Sequence, residues 1–244
     1  MHAGWRLLCA LGHLLRGMLT IVIRFPRLNP EQREQCVQVW SLQMLSCLGI
    51  RLRVKGQQTL PGPLLLASNH ISWLDITALH AARFCRFVSK ADIKRWPLIG
   101  FLAAGNGTLF IERQSRRDAK RMVQQMAQSL RDGDVLAVFP EGTTGDGRKL
   151  LPFHANLLQA AIEAEAPIQP VALRFEDALT GEISSEPLYI SNESLLSSVW
   201  RTLCAPTIVV VVCFGEAQRA DGRDRRAWSA DLRQIIDELR QARP

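Results

Sequence analysis

A histidine and an aspartate lie five positions apart in residues 67–75, which read Ala-Ser-Asn-His-Ile-Ser-Trp-Leu-Asp. Histidine is the side chain best suited to accept a proton near neutral pH, and a carboxylate can fix its tautomer and stabilise the charged ring. On one continuous helix, His70 and Asp75 would lie on different faces. If Ser72 caps a helix in which Asp75 is the third residue, His70 can fold back over the first turn. The spacing therefore allows a general-base pair.

The same residues also allow a purely structural interpretation. Ser72 and Asp75 have the spacing of a capping box, in which each side chain accepts a hydrogen bond from the other residue's backbone. A carboxylate in that position needs no catalytic partner. Taken alone, this segment leaves a general-base pair and a helix cap equally open.

A second polar segment follows an apolar run that ends at Val138. Residues 139–143 read Phe-Pro-Glu-Gly-Thr, so an ionisable Glu141 stands beside a flexible glycine and a hydroxyl. Such a group at the end of a strand can position a polar headgroup, although it could equally be an ordinary turn.

A third segment, residues 107–113, reads Gly-Thr-Leu-Phe-Ile-Glu-Arg and places Arg113 where a predicted strand ends. The forked guanidinium of arginine is suited to binding a phosphate at two points. A solvated surface arginine is the simpler alternative for any one such residue.

The rest of the chain supplies elements that could hold these residues. Short apolar runs alternate with helical patterns after residue 49, which predicts an α/β domain with a mostly parallel central sheet flanked by helices. No repeat, low-complexity tract or linker interrupts it, so we expect one catalytic domain over residues 50–244, preceded by a helical hairpin over residues 1–49. The predicted strands are 51–55, 64–67, 86–89, 107–111, 134–139, 168–174 and 207–214. The predicted helices of the domain are 73–82, 116–131, 154–165, 193–203 and 226–241.

Residues 3–24 are strongly apolar but carry Arg6, His13, Arg16 and Arg24. On a helix, most of these basic residues share a narrow stripe opposite a broad leucine-rich face. This pattern favours a helix that lies in the lipid headgroup layer, where arginine can reach phosphates. A spanning helix would bury Arg16 in the bilayer, no signal-peptide cleavage site follows, and a soluble core helix is the remaining alternative.

A second helix is marked at both ends, because Asn29 can cap it, Pro30 suits its first position and Gly49 can end it. With the first helix it would form a membrane-associating hairpin. We therefore expect a membrane-associated protein on the cytoplasmic face of the inner or plasma membrane.

Composition narrows the class of partner. The 244 residues are 47% hydrophobic and 22% charged, which is typical of a folded protein. The net charge of +7 favours an anionic partner. With 7% aromatic residues and no recognisable nucleic-acid-binding signature, nucleic acid is not expected. The six cysteines form no Cys-x-x-Cys pair, which favours reduced thiols over metal sites or disulfides.

Taken together, the three polar segments resemble the glycerolipid acyltransferase family typified by 1-acylglycerol-3-phosphate acyltransferase. That family has Asn-His, four residues and Asp, then Gly-x-x-Phe-Ile-[Asp/Glu]-Arg, and then Phe-Pro-Glu-Gly-Thr. A weaker fourth block with a proline on a strand is matched by residues 168–171, Ile-Gln-Pro-Val. The resemblance covers about residues 50–215.

The resemblance implies a reaction. His70 would take the proton from the sn-2 hydroxyl of lysophosphatidate, which would attack an acyl thioester of coenzyme A or acyl carrier protein and give phosphatidate. Asp75 would orient His70, and neither a metal nor a bound cofactor is needed. The partners would be a membrane lipid surface, the lysophospholipid acceptor and the thioester carrier. The residues implied to bind the acceptor are Arg113, Glu141, Gly142, Thr143 and, as a weaker candidate, Lys90.

Two departures from the family pattern concern the acceptor. Thr144 stands where many members have arginine, and His154 stands where many have lysine, so two cations are missing. Residues 143–153 also look like the branch that acylates lyso-ornithine lipid, which lacks the phosphate monoester. Lysophosphatidate is our first expectation because Arg113 and Lys90 are present, with lyso-ornithine lipid as the alternative. A non-catalytic membrane-binding protein or a hydrolase fits less well, since the His–Asp block is intact and no Gly-x-Ser-x-Gly elbow occurs.

Overall fold

The computed structural model describes residues 2–58, 61–112, 115–190 and 193–242. A seven-stranded sheet has the order β1-β7-β6-β2-β5-β3-β4. Strands β6, β2, β5, β3 and β4 are parallel, whereas β7 pairs antiparallel with β6 and parallel with β1. The predicted mostly parallel sheet is therefore confirmed. The strands are β1 Ile50–Lys55, β2 Leu64–Ser68, β3 Arg86–Lys90, β4 Leu109–Ile111, β5 Val135–Val138, β6 Ile168–Asp177 and β7 Ile208–Phe214.

Helices cover both faces of the sheet, as expected when strands connect in parallel. Along β2, Leu64 and Leu66 pack into one hydrophobic cluster while Leu65 and Ala67 pack into the other. All four are fully buried. The helices are α1 His2–Leu19, α2 Pro30–Cys47, α3 Asp75–Ala82, α4 Ile99–Gly105, α5 Arg116–Arg131, α6 Gln159–Glu163, α7 Leu195–Cys204 and α8 Arg225–Gln241.

Three local differences from the predicted elements have physical reasons. Helix α4 was not predicted, because a short segment with glycines at 100 and 105 shows no clear helical period. Strand β4 begins at Leu109 rather than 107, because Gly107 has a φ of 75° and belongs to a turn. The predicted helix 154–165 is divided into the 3-10 turn Ala155–Leu157 and the short helix α6.

The N-terminal hairpin has the predicted boundaries in its second helix. The Asn29 side chain accepts a hydrogen bond from the Gln32 backbone, and the Gln32 side chain accepts one from the Asn29 backbone. At the other end, Gly49 has a φ of 78°, a left-handed conformation that glycine adopts without strain. Met44, Leu45 and Leu48 share a hydrophobic cluster with one face of the sheet. The hairpin thus packs on the α/β body, and its separation as a domain at residue 49 stays a prediction.

Arg6 and His13 of α1 face the protein, contrary to the prediction that the basic stripe reaches lipid, whereas Arg16 is exposed. Arg6 Nη1 donates to the carbonyl oxygens of Leu203 and Ala205, at 3.0 and 2.7 Å. The His13 ring stacks on Trp40, and its Nε2 lies 2.9 Å from the Trp40 carbonyl oxygen. Burial lowers the pKa of His13, so its neutral form is favoured. The stripe prediction was wrong at these two residues because backbone carbonyl groups of the protein bind them. Arg6 binds carbonyls at the end of α7, and His13 binds a carbonyl of α2.

The outward side of α1 and of the π-helical turn Thr20–Arg24 is apolar. The stretch His2–Arg27 is long and apolar enough, by length and composition, to cross a membrane. The exposed large apolar residues on this side are Trp5, Leu8, Leu11, Leu15, Leu19, Val22 and Ile23.

A close approach between α1 and α2 generates a stability prediction. A Cβ on Gly17 would lie 2.5 Å from Trp40 Nε1, whereas a Cβ on Gly12 would meet nothing within 4 Å. We expect Gly17→Ala to lower the free energy of unfolding by about 1–3 kcal/mol through overpacking. Gly12→Ala, the matched control, should raise it by about 0.5–1 kcal/mol through helix propensity. Denaturant unfolding in mild detergent measures both, and equal stability of the two variants would contradict this packing.

Candidate active site

The predicted contact between His70 and Asp75 is present at the carboxyl end of β2. His70 Nδ1 and Asp75 Oδ2 are 2.8 Å apart, and the side chains are 19% and 0% exposed. An ionised carboxylate only accepts hydrogen bonds, so the proton of a neutral His70 is on Nδ1 and the lone pair is on Nε2. A partly exposed imidazole with a free ring nitrogen can act as a general base.

Asp75 also holds the backbone of the loop that carries His70. Its Oδ2 accepts the backbone N–H groups of Ile71 and Ser72, at 2.7 and 2.9 Å. Ser72 Oγ in turn accepts the N–H of Leu74, at 3.2 Å. Only half of the predicted capping box forms: Asp75 accepts the Ser72 N–H, but Ser72 does not cap the helix, whose N-cap is Leu74. That half and the His–Asp pair coexist on one oxygen. The α-helix begins at Asp75 itself rather than two residues earlier, since residues 73 and 74 form a turn.

Asn69 fixes the loop from its other side. Its side-chain nitrogen donates to the carbonyl oxygen of Leu173 at 2.9 Å, and its oxygen accepts the Leu173 N–H at 2.7 Å. Because the β2–β6 ladder ends with Ser68 opposite Val171, the buried Asn69 amide continues it by one further pair of bonds. Sequence reasoning gave Asn69 no separate role, although its place beside His70 was the available signal.

The face of the His70 ring packs on Phe139, which directly follows β5. The ring centroids are 4.0 Å apart and the planes differ by 11°. Phe139 stacks in turn on Phe87 of β3, with centroids 5.7 Å apart. The imidazole is therefore held at its edge by a carboxylate and on its face by an aromatic ring. Sequence reasoning did not assign this role to Phe139, since its pattern only marked the end of a strand.

Glu141 is buried and supports the loop backbone. Its Oε1 accepts the N–H of His70 at 2.8 Å, and its Oε2 accepts the N–H of Leu151 at 2.7 Å. Burial raises the pKa of the Glu141 carboxyl, while these two bonds and the His70 ring act in the opposite direction. Both oxygens thus bind this chain's own backbone. The contact of Glu141 with the acyl acceptor stays a prediction.

Three other residues of the predicted site, Gly142, Thr143 and Lys90, belong to the described part of the chain and lie around the same edge of the sheet. Gly142 turns the chain with a φ of 70°, and Thr143 is exposed beside it. Lys90 is the exposed last residue of β3, two strands from β2, which corresponds to roughly 10 Å of lateral separation. Arg113 lies outside the described residues, two positions beyond the end of β4.

The loop after Glu141 brings further polar groups to this edge. Gly145 donates its N–H to the His70 carbonyl oxygen, and His154 donates its own to the Pro140 carbonyl oxygen, both at 2.8 Å. The positions that depart from the family pattern therefore lie close to the site. Between them, Arg148 and Lys149 are exposed and supply two cations that sequence reasoning had not considered. Across residues 2–58, 61–112, 115–190 and 193–242, no three His, Cys, Asp or Glu residues are grouped to hold a metal ion.

Comparison with known proteins assigns the class. The Acyltransferase family model matches residues 51–174, which run from β1 into β6 and include His70, Asp75 and Glu141. The chain is 36% identical to a 1-acyl-sn-glycerol-3-phosphate acyltransferase of Neisseria meningitidis over 85% of its own length and 81% of that protein. This protein belongs to the Acyltransferase family.

Two further comparisons refine the class. A lyso-ornithine lipid O-acyltransferase of Pseudomonas aeruginosa is 34% identical over 94% of this chain and 88% of its own length. The crystal structure of the 1-acyl-sn-glycerophosphate acyltransferase PlsC from Thermotoga maritima superposes with a TM-score of 0.67, covers both chains completely and shares 17% identity, so it shows the fold. The protein is a glycerolipid acyltransferase of the PlsC type.

The bonds of Glu141 generate a kinetic prediction. Glu141→Gln replaces one acceptor oxygen by an N–H2 group, leaving a buried backbone N–H of His70 or Leu151 unpaired at a cost of about 1–3 kcal/mol. We expect kcat to fall about tenfold or more while the KM for the acceptor changes little. Thr143→Ala, an exposed neighbour in the same segment, should instead raise that KM. Steady-state kinetics with varied acceptor separate the two, and a pure KM effect of Glu141→Gln would indicate direct contact with the acceptor.

Proposed function

We propose that this protein transfers a fatty acyl group from a thioester of coenzyme A or acyl carrier protein to the sn-2 hydroxyl of 1-acylglycerol-3-phosphate. The observation that carries the proposal is the His70–Asp75 pair at a partly exposed sheet edge, where the ring nitrogen Nε2 has no hydrogen-bond partner among the described residues. The relative that acts on 1-acyl-sn-glycerol-3-phosphate supports the choice of acceptor.

The proposed chemistry needs one proton carrier. His70 Nε2 takes the proton from the acceptor hydroxyl as its oxygen attacks the thioester carbonyl carbon. The tetrahedral intermediate collapses to the ester and expels the thiolate, which receives the proton back from His70. Asp75 keeps the proton on Nδ1 before the reaction and stabilises the imidazolium during it. Phe139, Asn69 and Glu141 are positioning residues, because each binds the His70 ring or its loop.

Cations at the sheet edge support a phosphate-bearing acceptor. Lys90 ends β3 there, and Arg113 follows β4 in the sequence. The backbone turn at Gly142 and the hydroxyl of Thr143 lie beside the buried Glu141. We propose that these residues bind the glycerol phosphate, with Arg113 contributing a two-point contact.

Lyso-ornithine lipid is the second candidate acceptor. Thr144 and His154 replace cations of the family pattern, and a lyso-ornithine lipid O-acyltransferase matches 94% of the chain. Its identity of 34% is nearly that of the 1-acyl-sn-glycerol-3-phosphate acyltransferase, at 36%. The two acceptors differ in a phosphate monoester, so a charge-dependent measurement distinguishes them.

We also propose that the N-terminal hairpin docks the protein on the cytoplasmic leaflet of a membrane. The support is that Arg6 and His13 of α1 bind the protein while leucines on the other side of the helix are exposed. An interfacial helix buries such a face in the headgroup and acyl boundary. A spanning orientation would require Arg6 to leave the carbonyls of Leu203 and Ala205.

Substitution of the dyad tests the mechanism. His70→Ala should reduce kcat by about 10²–10⁴-fold with unchanged unfolding, since the lost contribution is base catalysis. Asp75→Asn should be nearly as damaging, although its oxygen can still accept the N–H groups of Ile71 and Ser72. Release of free thiol from acyl thioester measures both. Full activity of Asp75→Asn would leave Asp75 with only its capping role.

Acceptor choice is tested by offering lysophosphatidate and lyso-ornithine lipid to the purified protein and to Arg113→Ala. We expect a preference for lysophosphatidate and a loss of about 10- to 150-fold in kcat/KM on that acceptor, the range for a charge-assisted hydrogen bond. The loss on zwitterionic lyso-ornithine lipid should be smaller. Arg117→Ala, an exposed arginine on α5, is the matched control. If the unmutated protein prefers lyso-ornithine lipid, that lipid becomes the proposed acceptor, and the proposed roles of His70 and Asp75 are unchanged.

A further inference from the structure

A second exposed apolar surface lies outside the N-terminal hairpin, in residues 96–101, here named the 96–101 segment. It connects the 3-10 turn Ala91–Arg95 to the start of α4. Large apolar side chains are rarely left exposed in a row unless another surface covers them. The exposed side chains are Trp96 at 44%, Leu98 at 44%, Ile99 at 43% and Phe101 at 41%.

The backbone of this segment is strained at its centre. Leu98 has φ 65° and ψ −58°, and the N–H of Ile99 donates to the Pro97 carbonyl oxygen at 2.7 Å. This is the rare γ-turn with positive φ, a conformation that disfavours residues with a Cβ. A strained backbone and an exposed leucine both lower the stability of the fold, and strain of this kind is concentrated at functional sites. We therefore consider a binding role for this segment.

A rigid base holds the segment. A Cβ on Gly100 would lie 2.3 Å from the carbonyl oxygen of Lys94, so the start of α4 is pressed against the preceding 3-10 turn. The first turn of α4 therefore packs closely on the 3-10 turn that precedes the segment.

Helix α4 begins in the 96–101 segment and packs at its other end against the first helix. A Cβ on Gly105, at the end of α4, would lie 2.6 Å from Ile21 Cδ1 in the π-helical turn. On this turn, Val22 and Ile23 are exposed. A groove of about 360 Å³ runs between α1, α2 and α4, and Arg16, Arg24 and Leu102 are among its lining residues. The helix that begins in the 96–101 segment thus packs against the first helix, beside a groove that two arginines line.

Charge around the segment fits an anionic surface. Lys94 and Arg95 are exposed immediately before Trp96, with one exposed acid, Asp92, in the same turn. Lys94 Nζ also lies 5.9 Å from the centroid of the Phe110 ring. Basic residues beside exposed aromatic and aliphatic side chains are the pattern of an element that inserts between anionic lipid headgroups.

We propose that the 96–101 segment is a second membrane-insertion element, which docks together with α1 on an anionic phospholipid leaflet. This rests on the part of the proposed function in which α1 binds lipid. One helix lying on a membrane leaves the body free to roll about the helix axis, and a second contact removes that freedom. Since the segment follows Lys90 and precedes β4, insertion would set the height of the acceptor-binding edge relative to the headgroups.

Vesicle binding tests the proposal. The double variant Trp96→Ser, Phe101→Ser should partition at least about tenfold more weakly onto phosphatidylcholine vesicles containing phosphatidylglycerol, given the apolar area removed. Val54→Ser is the matched control, because Val54 is equally exposed, at 41%, but lies at the opposite edge of the sheet. Leu98→Gly should weaken binding while raising the unfolding temperature, since it relieves the positive φ.

Fluorescence locates the segment directly. Trp96→Phe should bind vesicles as the unmutated protein does and show less of the tryptophan emission that acyl-chain-brominated lipids quench, with the remainder coming from Trp5 of α1. Equal vesicle binding by the double variant and the unmutated protein would overturn the proposal, as would an unchanged quenched component in Trp96→Phe. A lipid-free dimer that the double variant abolishes, with vesicle binding intact, would reassign the surface to a second copy of this chain.

The design also separates this proposal from the proposed function. On a short-chain lysolipid in detergent, the double variant should retain the activity of the unmutated protein, because its dyad is untouched. Retained folding of each variant is checked by circular dichroism. Suppose that the unmutated protein acylates no lysolipid but binds vesicles, and that the double variant does not bind them. The acyl-transfer proposal then fails, and the membrane-insertion proposal is supported.

Discussion

One carboxylate oxygen, Asp75 Oδ2, organises the active-site loop, since it accepts the His70 ring and the backbone N–H groups of Ile71 and Ser72. Removing the charge would disturb both the tautomer of the ring and the turn that carries it. The other oxygen, Oδ1, is buried with no hydrogen-bond partner among the described residues. An unsatisfied buried acceptor is uncommon in proteins, and its presence here is consistent with a carboxylate placed for chemistry more than for stability.

Because the central strands are parallel, the other residues that contact the His70 loop lie at the same edge of the sheet. Strands β2 and β5 are neighbours and end at the same edge, so Phe139 and Glu141 reach His70 from about seventy residues away in the chain. Leu173 reaches Asn69 in the same way from β6. The histidine therefore has fixed neighbours on several sides before any substrate binds, which is the preorganisation that general-base catalysis requires.

How much of this could be predicted from sequence depends on the range of each interaction. The strands and the sheet type follow from local periodicity, and both are found in the structure. Spacing allowed the His70–Asp75 contact but left a helix cap equally open, and only the family resemblance favoured the contact that the structure contains. The Phe139 stack and the Asn69–Leu173 bonds join distant segments, so no local pattern reports them. The inward side of α1 was missed for a similar reason: a helical wheel shows that Arg6 and His13 share a face but not which acceptors meet it. The exposed strained turn at Leu98 left no signal, because its sequence is apolar and unremarkable.

The contacts of Arg6 have a consequence for biosynthesis. Arg6 is synthesised before its acceptors at Leu203 and Ala205, which lie 197 and 199 positions later in the chain. At synthesis rates of about 5–20 residues per second, the first helix waits roughly 10–40 s before those carbonyls exist. During that interval its leucine-rich side and its arginine are both without their final surroundings. Arg6 can therefore make these two bonds only after residues 203–205 have been synthesised.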